Sequence, residues 1–190
     1  YYERALAINE WTLGKDHPTT ATSLNNLGML LQAQGDLPGA RPYVERALQI
    51  REQVLGKDHP DTAQSLNNLG YLLKAQGDYA AARPYYEHAH AIYEWTLGKD
   101  HPDTATSLNN LAILCYYAND FAEASRLMRQ TLAIREQALG AEHPNTRSSR
   151  ESLAAIEKRM RADEETRDTQ VGNKEIGRQE RSWLDRLLGR

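Results

Sequence analysis

Leucines recur along this chain at helical spacing, and they recur in copies. Leu24, Leu27 and Leu31 around Gly28 return as Leu66, Leu69 and Leu73 around Gly70, and again as Leu108, Leu111 and Cys115 around Ala112. Steps of three and four residues put each set on one face of a helix, and the small residue at i+4 lets a second helix approach closely. A second apolar set follows each time: Ala40, Val44 and Ala47, then Ala82, Tyr86 and Ala89, then Ala124, Met128 and Thr131. Gly35-Asp36, Gly77-Asp78 and Asn119-Asp120 separate the two sets and predict a tight turn between them. The pattern therefore predicts antiparallel pairs, a helix A and a helix B. After each helix B comes a link such as LGKDHP, in which glycine ends one helix and proline opens the next. Asp16 or His17 is the expected N-cap of the following helix, Asp being the better acceptor.

The link fixes the period, since Gly14, Gly56, Gly98 and Gly140 each stand 42 residues after the one before. A period in this range marks a solenoid, whose units bury their apolar faces only against neighbours, so function is to be sought on a surface. The units predicted are 1–14, a second helix without its first; three repeats at 15–56, 57–98 and 99–140; and a capping helix at 141–161. In the cap Arg150 replaces the recurring leucine, and residues 148–152 are polar throughout. Residues 162–181 read as a polar linker. Residues 182–190 read as a short amphipathic tail carrying Trp183, Leu184, Leu187 and Leu188. The chain opens without Met and halfway through a unit, which predicts further protein upstream.

Composition narrows the class. A mean hydropathy of −0.72 fits a well-hydrated array, and a net charge of −3 argues against nucleic acid, which needs a basic face. No run of roughly 18 apolar residues predicts a membrane span. Cys115 has no second cysteine to pair with, so a reducing, cytoplasmic setting is expected.

Leu66-Asn67-Asn68-Leu69-Gly70, Gln76-Gly77-Asp78-Tyr79, Ala82, Tyr86 and Ala89 resemble the tetratricopeptide pattern, with leucine where its usual signature has Trp and the later Tyr. The long period and the LGxDHPxTA link are similar to the repeats of kinesin light chains and their bacterial relatives. The resemblance implies an all-α, right-handed superhelical solenoid, and a concave side lined by the face of helix A turned away from helix B. Counted from the leucines, that stripe holds Gln64, Asn67, Tyr71 and Lys74. Neighbouring copies supply Asn25, Met29 and Gln32, and Asn109, Ile113 and Tyr116. In kinesin light chains the equivalent groove binds peptides. The same use here implies asparagines bonding an extended backbone, aromatic and Met side chains anchoring it, and Lys74 meeting an acidic residue. The second Asn of each pair, Asn26, Asn68 and Asn110, is expected to face the helix interface.

The recurrent His17, His59, His101 and His143 lie about one helix-packing distance apart, too far to share a metal, so they belong to the helix starts. Cys115 reads as a core thiol without basic neighbours. Trp11 and Trp95 are expected to pack on the following loop. No phosphate loop, HExxH or GxSxG is present. The chain is read as a non-enzymatic scaffold with no cofactor and no metal, whose partner is a protein or peptide. Two alternatives differ from it: a sensor arm of a larger signalling ATPase, and a groove closed by the chain's own Trp183 tail.

Overall fold

The structure, a computed structural model, describes the backbone of residues 1–187 and the side chains of residues 1–166. Eight helices fill the described residues: α1 (Tyr2–Leu13), α2 (Pro18–Ala33), α3 (Leu37–Val54), α4 (Pro60–Ala75), α5 (Tyr79–Leu97), α6 (Pro102–Tyr117), α7 (Phe121–Leu139) and α8 (Pro144–Leu187). They pack in chain order, with α2 on α3, α4 on α5 and α6 on α7 forming the closest pairs. Contacts between α2 and α4 and between α4 and α6 set the A helices side by side. The result is an all-α solenoid of antiparallel pairs.

Close approach within a pair rests on the small residue. A Cβ built on Gly70 would sit 3.1 Å from the Tyr86 ring, and one on Gly28 would sit 2.6 Å from Val44 Cγ2. The predicted leucines, alanines, Val44, Tyr86 and Met128 are all buried, except Leu31, which is half-buried. Gly35 and Gly77 turn at positive φ (85° and 82°), and Asn119 takes the same conformation at 62°. Asp36, Asp78 and Asp120 then cap helix B, accepting from Gly39, Ala81 and Glu123 N–H at 2.9, 3.0 and 3.2 Å.

The N-cap of helix A is the histidine and not the aspartate that intrinsic preference favours. His17, His59, His101 and His143 Nδ1 accept from the N–H two residues on, at 3.1 to 3.2 Å. Behind each cap a buried threonine closes the link, with Thr20, Thr62 and Thr104 Oγ1 each donating to the carbonyl of Gly14, Gly56 or Gly98 at 2.8 Å.

The C-terminal division into cap, linker and short tail helix is corrected. The backbone is one helix from Pro144 to Leu187. The turn that ends every other helix A has no counterpart, because Arg161 and Ala162 stand where the period would place a second Asn119-Asp120. The segment beyond is rich in Glu, Arg, Gln and Lys, which are strong helix formers. The expected contact of the Trp183 tail with the groove falls on a side chain outside the described residues. Among the described residues no helix is long and apolar enough to cross a membrane.

Candidate functional site

The face of α2, α4 and α6 turned away from helix B carries the predicted stripe. Met29 and Tyr71 are exposed at about half of their surface, and Ile113, the third in that row, is half-buried. Gln64 is exposed, while Gln32, Lys74, Tyr116, Asn67 and Asn109 are half-buried. Asn25 departs from the row. It is only 3% exposed, and its Nδ2 donates 3.0 Å to Ser65 Oγ on α4, leaving its Oδ1 buried without a partner. Its neighbour Asn26 is the exposed one, so in the first copy the expected roles of the two asparagines are exchanged. Asn67 is tied to the next repeat, accepting 3.4 Å from Asn110 Nδ2.

At the end of the groove nearest the A-to-B turns, aromatic rings gather around Lys74, and Arg159 lies 5.7 Å from the Phe121 ring centre. Lys74 Nζ lies 4.6 Å from the Tyr71 ring centre and 5.6 Å from that of Tyr117. Tyr117 stacks on Tyr79 at 6.1 Å and meets Tyr116 edge-on at 5.8 Å, and Tyr116 meets Phe121 at 5.5 Å. Burial holds the Lys74 ammonium below the ordinary lysine range, and among the described residues no charged neighbour offsets it. A cleft of about 330 Å³ opens over Tyr71, Lys74, Tyr79 and Tyr117. A second, of about 310 Å³, is walled by Ile113, Tyr116, Tyr117, Met128 and Ile156. The first joins a cation to ring faces, and the second is mostly apolar. Together they suit a ligand that carries a negative group beside a large apolar side chain.

Under the groove lies a polar layer that the hydrophobic pattern did not mark. Arg51 on α3 is 3% exposed, and its hydrogen bonds go to carbonyl, amide and hydroxyl oxygens, with the Asp61 carboxylate acting on it only through space. Nη1 donates to Asp61 O at 2.7 Å, Gln64 Oε1 at 3.0 Å and Ser65 Oγ at 3.1 Å, and Nη2 donates to Thr22 Oγ1 at 3.0 Å. Arg135 repeats the arrangement two repeats later, reaching Ser149 Oγ at 2.7 Å and Thr106 Oγ1 at 3.4 Å. Burial lowers both guanidinium pKa values. The signal was present as a constant separation of 14 residues between Arg51 and Ser65 and between Arg135 and Ser149.

Two other expectations change. Cys115 is buried as predicted but does have a basic neighbour, Arg83 Nη2 at 3.5 Å; burial still outweighs it and pushes the thiol up. Trp11 and Trp95 do not pack on the loops, being 90% and 86% exposed. Among the described residues no three His, Cys, Asp or Glu side chains gather as a metal site.

The tetratricopeptide repeat family profile matches residues 1–53, 24–95 and 73–137. A Podosopora anserina protein named as a kinesin light chain, with nearly identical TPR-like repeats, is 28% identical; the match covers 88% of this chain and 79% of that one, with a TM-score of 0.70. A single-residue variant of it gives a TM-score of 0.71 over the same shares. BtubC (BKLC) from P. vanneervenii is 24% identical over 83% of this chain and 63% of that one, with a TM-score of 0.73, a likeness of fold. No curated protein sequence matches the chain.

Proposed function

Because the chain belongs to the tetratricopeptide repeat family, of the kinesin light chain-like kind, whose repeats mediate protein–protein interaction, we propose that it is a scaffold holding an extended peptide or a partner helix along α2, α4 and α6. The observation that carries this reading is Lys74, half-buried between Tyr71 and Tyr117 with no counter-charge among the described residues. Keeping an ammonium there costs hydration that the ring faces only partly return, and a ligand carboxylate would complete the site. Tyr71, Met29, Ile113 and Tyr116 then anchor side chains, while Gln64, Asn67, Asn109 and Gln32 offer amides to the ligand backbone. Asn25 takes no part, since Ser65 and burial occupy it. The mechanism is complementarity without a chemical step, in a cytoplasmic setting that suits the single buried thiol.

The test begins with peptides selected from a displayed random library on the intact chain, each then labelled and titrated by fluorescence anisotropy. Tyr71→Ala with Lys74→Ala is expected to weaken binding about tenfold or more, ~1.4 kcal/mol, with circular dichroism and melting unchanged. Selected peptides that bind the double variant as tightly as the parent would refute the groove.

A further inference from the structure

Two stretches of the chain are identical over nine residues. Glu10 to Pro18 and Glu94 to Pro102 both read EWTLGKDHP, whereas the copies between and after them read EQVLGKDHP and EQALGAEHP. The two stretches also fold alike. Gly14 and Gly98 stand at φ 97° and 92° with ψ 160° and 158°. Thr12 and Thr96 Oγ1 each donate 2.7 Å to the carbonyl of Ile8 or Ile92. Each presents a tryptophan to solvent, 90% exposed at Trp11 and 86% at Trp95, beside an exposed Leu13 or Leu97. Trp11 lies on α1, which has a neighbour on one side only, but Trp95 has repeats on both sides and is as bare. Exposure therefore belongs to the position. Gln53 and Gln137 at the same place in the other copies show that the repeat folds without tryptophan there.

We infer that this edge of the solenoid is a self-association surface, on which two copies of the chain meet antiparallel with Trp11 of one against Trp95 of the other. Under a two-fold axis residue i meets j while j meets i, so two identical patches at one spacing are satisfied together by a second copy. A lipid surface or a nucleic acid would ask for net positive charge, which neither patch has. Four tryptophans at 150–250 Å² each bury about 600–1,000 Å², and the flanking leucines bring the total near the lower limit of a specific interface. The dimer is accordingly weak and concentration-dependent.

Sedimentation velocity on the intact chain, from roughly 1 to 200 μM, is expected to show a monomer giving way to a dimer. Trp11→Gln with Trp95→Gln, which copies the residue of the other repeats, should stay monomeric where the parent is half-associated. The pairing is read by cysteine cross-linking, because Cys115 is buried and silent. A mixture of Trp11→Cys and Trp95→Cys chains should form a disulfide that neither forms alone. A parent that stays monomeric throughout overturns the inference, whether or not its tryptophans bind vesicles of phosphatidylcholine and phosphatidylserine. So does association that survives both glutamine substitutions, which would belong to the open face of α1 at Tyr2 and Ile8. A disulfide formed by Trp95→Cys alone overturns the antiparallel register.

Discussion

Ser23, Ser65, Ser107 and Ser149 occupy one position in four successive copies, and each is bonded by the helix B before it, though not by the same residue. Asn9 reaches Ser23 at 2.8 Å, Arg51 reaches Ser65 at 3.1 Å and Arg135 reaches Ser149 at 2.7 Å. In the third case in chain order the arginine is replaced by Tyr93, and His90 takes over, its Nδ1 lying 3.0 Å from Ser107 Oγ. Ser107 gives its own proton to Thr104 O at 2.7 Å, so His90 Nδ1 is the donor. His90 in turn stands where Leu48 and Leu132 stand in the neighbouring copies. Two substitutions thus compensate within one repeat. At neutral pH, His90→Leu alone is expected to cost about 0.5–1.5 kcal/mol through the lost bond. His90→Leu with Tyr93→Arg, which rebuilds the Leu48 and Arg51 pair, should recover most of it, and denaturant unfolding of the four species reads the coupling. The pH dependence has a definite sign. Burial lowers the His90 pKa against the weaker raising effect of Glu94, so the unfolded chain takes up the proton first. Stability from this group is present above the ordinary imidazole value near 6.5 and falls as pH drops through it towards the folded value. The double variant should lack that part of the acid loss. A cycle with no coupling, or a parallel acid loss in the double variant, would remove His90 from this role. None of this was legible from hydrophobic periodicity, which treats Arg51 as solvated and says nothing about which serine it meets.

At the scale of the helix pair, the contact that governs spacing is Gly70 against Tyr86, and its counterparts are Gly28 against Val44 and Ala112 against Met128. Glycine faces Val44 and the Tyr86 ring, while in the third copy alanine stands opposite the more adaptable methionine. Gly70→Ala would gain helix propensity of about 1 kcal/mol. It would also force a fully buried ring to yield against a Cβ 3.1 Å away, at a cost of roughly 1–3 kcal/mol. A net loss of about 1 kcal/mol is expected, and Tyr86→Met in the same chain should reverse it, as thermal melting would show. If the single substitution stabilised the chain, the ring would have room that the structure denies it. Pairs, turns and their order were readable in the sequence because glycine, asparagine and proline punctuate them and because each copy repeats the punctuation. The length of α8 was not. Polar composition was taken for a linker, whereas a helix ends only where something ends it, and at Arg161-Ala162 nothing does. The groove was legible as a row of positions. Its aromatic end was legible only in part, since Tyr79 comes from one repeat and Tyr116, Tyr117 and Phe121 from the next.

Across the whole chain, stability comes from neighbours, and neighbours are unevenly supplied. One apolar core runs from α3 to α8 through Leu66, Leu69, Tyr86, Leu111 and Met128. A smaller one gathers Ala21, Leu24, Ala47 and Ile50 with Leu6 against it. In this chain α1 has no buried residue and packs chiefly on α2. Where each unit is held only by those beside it, local opening need not cross the whole array. Native-state hydrogen exchange should therefore be graded: amides of α1 exchange fastest, those of α2 and α3 are intermediate, and those of α4, α5 and α6, covered from both sides, are slowest. Gly70→Ala, placed in the middle, should flatten this gradient by lowering the most protected helices, whereas Trp11→Gln with Trp95→Gln at the edge should leave it as it is. Equal protection of every helix would mean that the chain opens only as a single block. The groove's rigidity would then be a property of the whole array, not of the three A helices that line it.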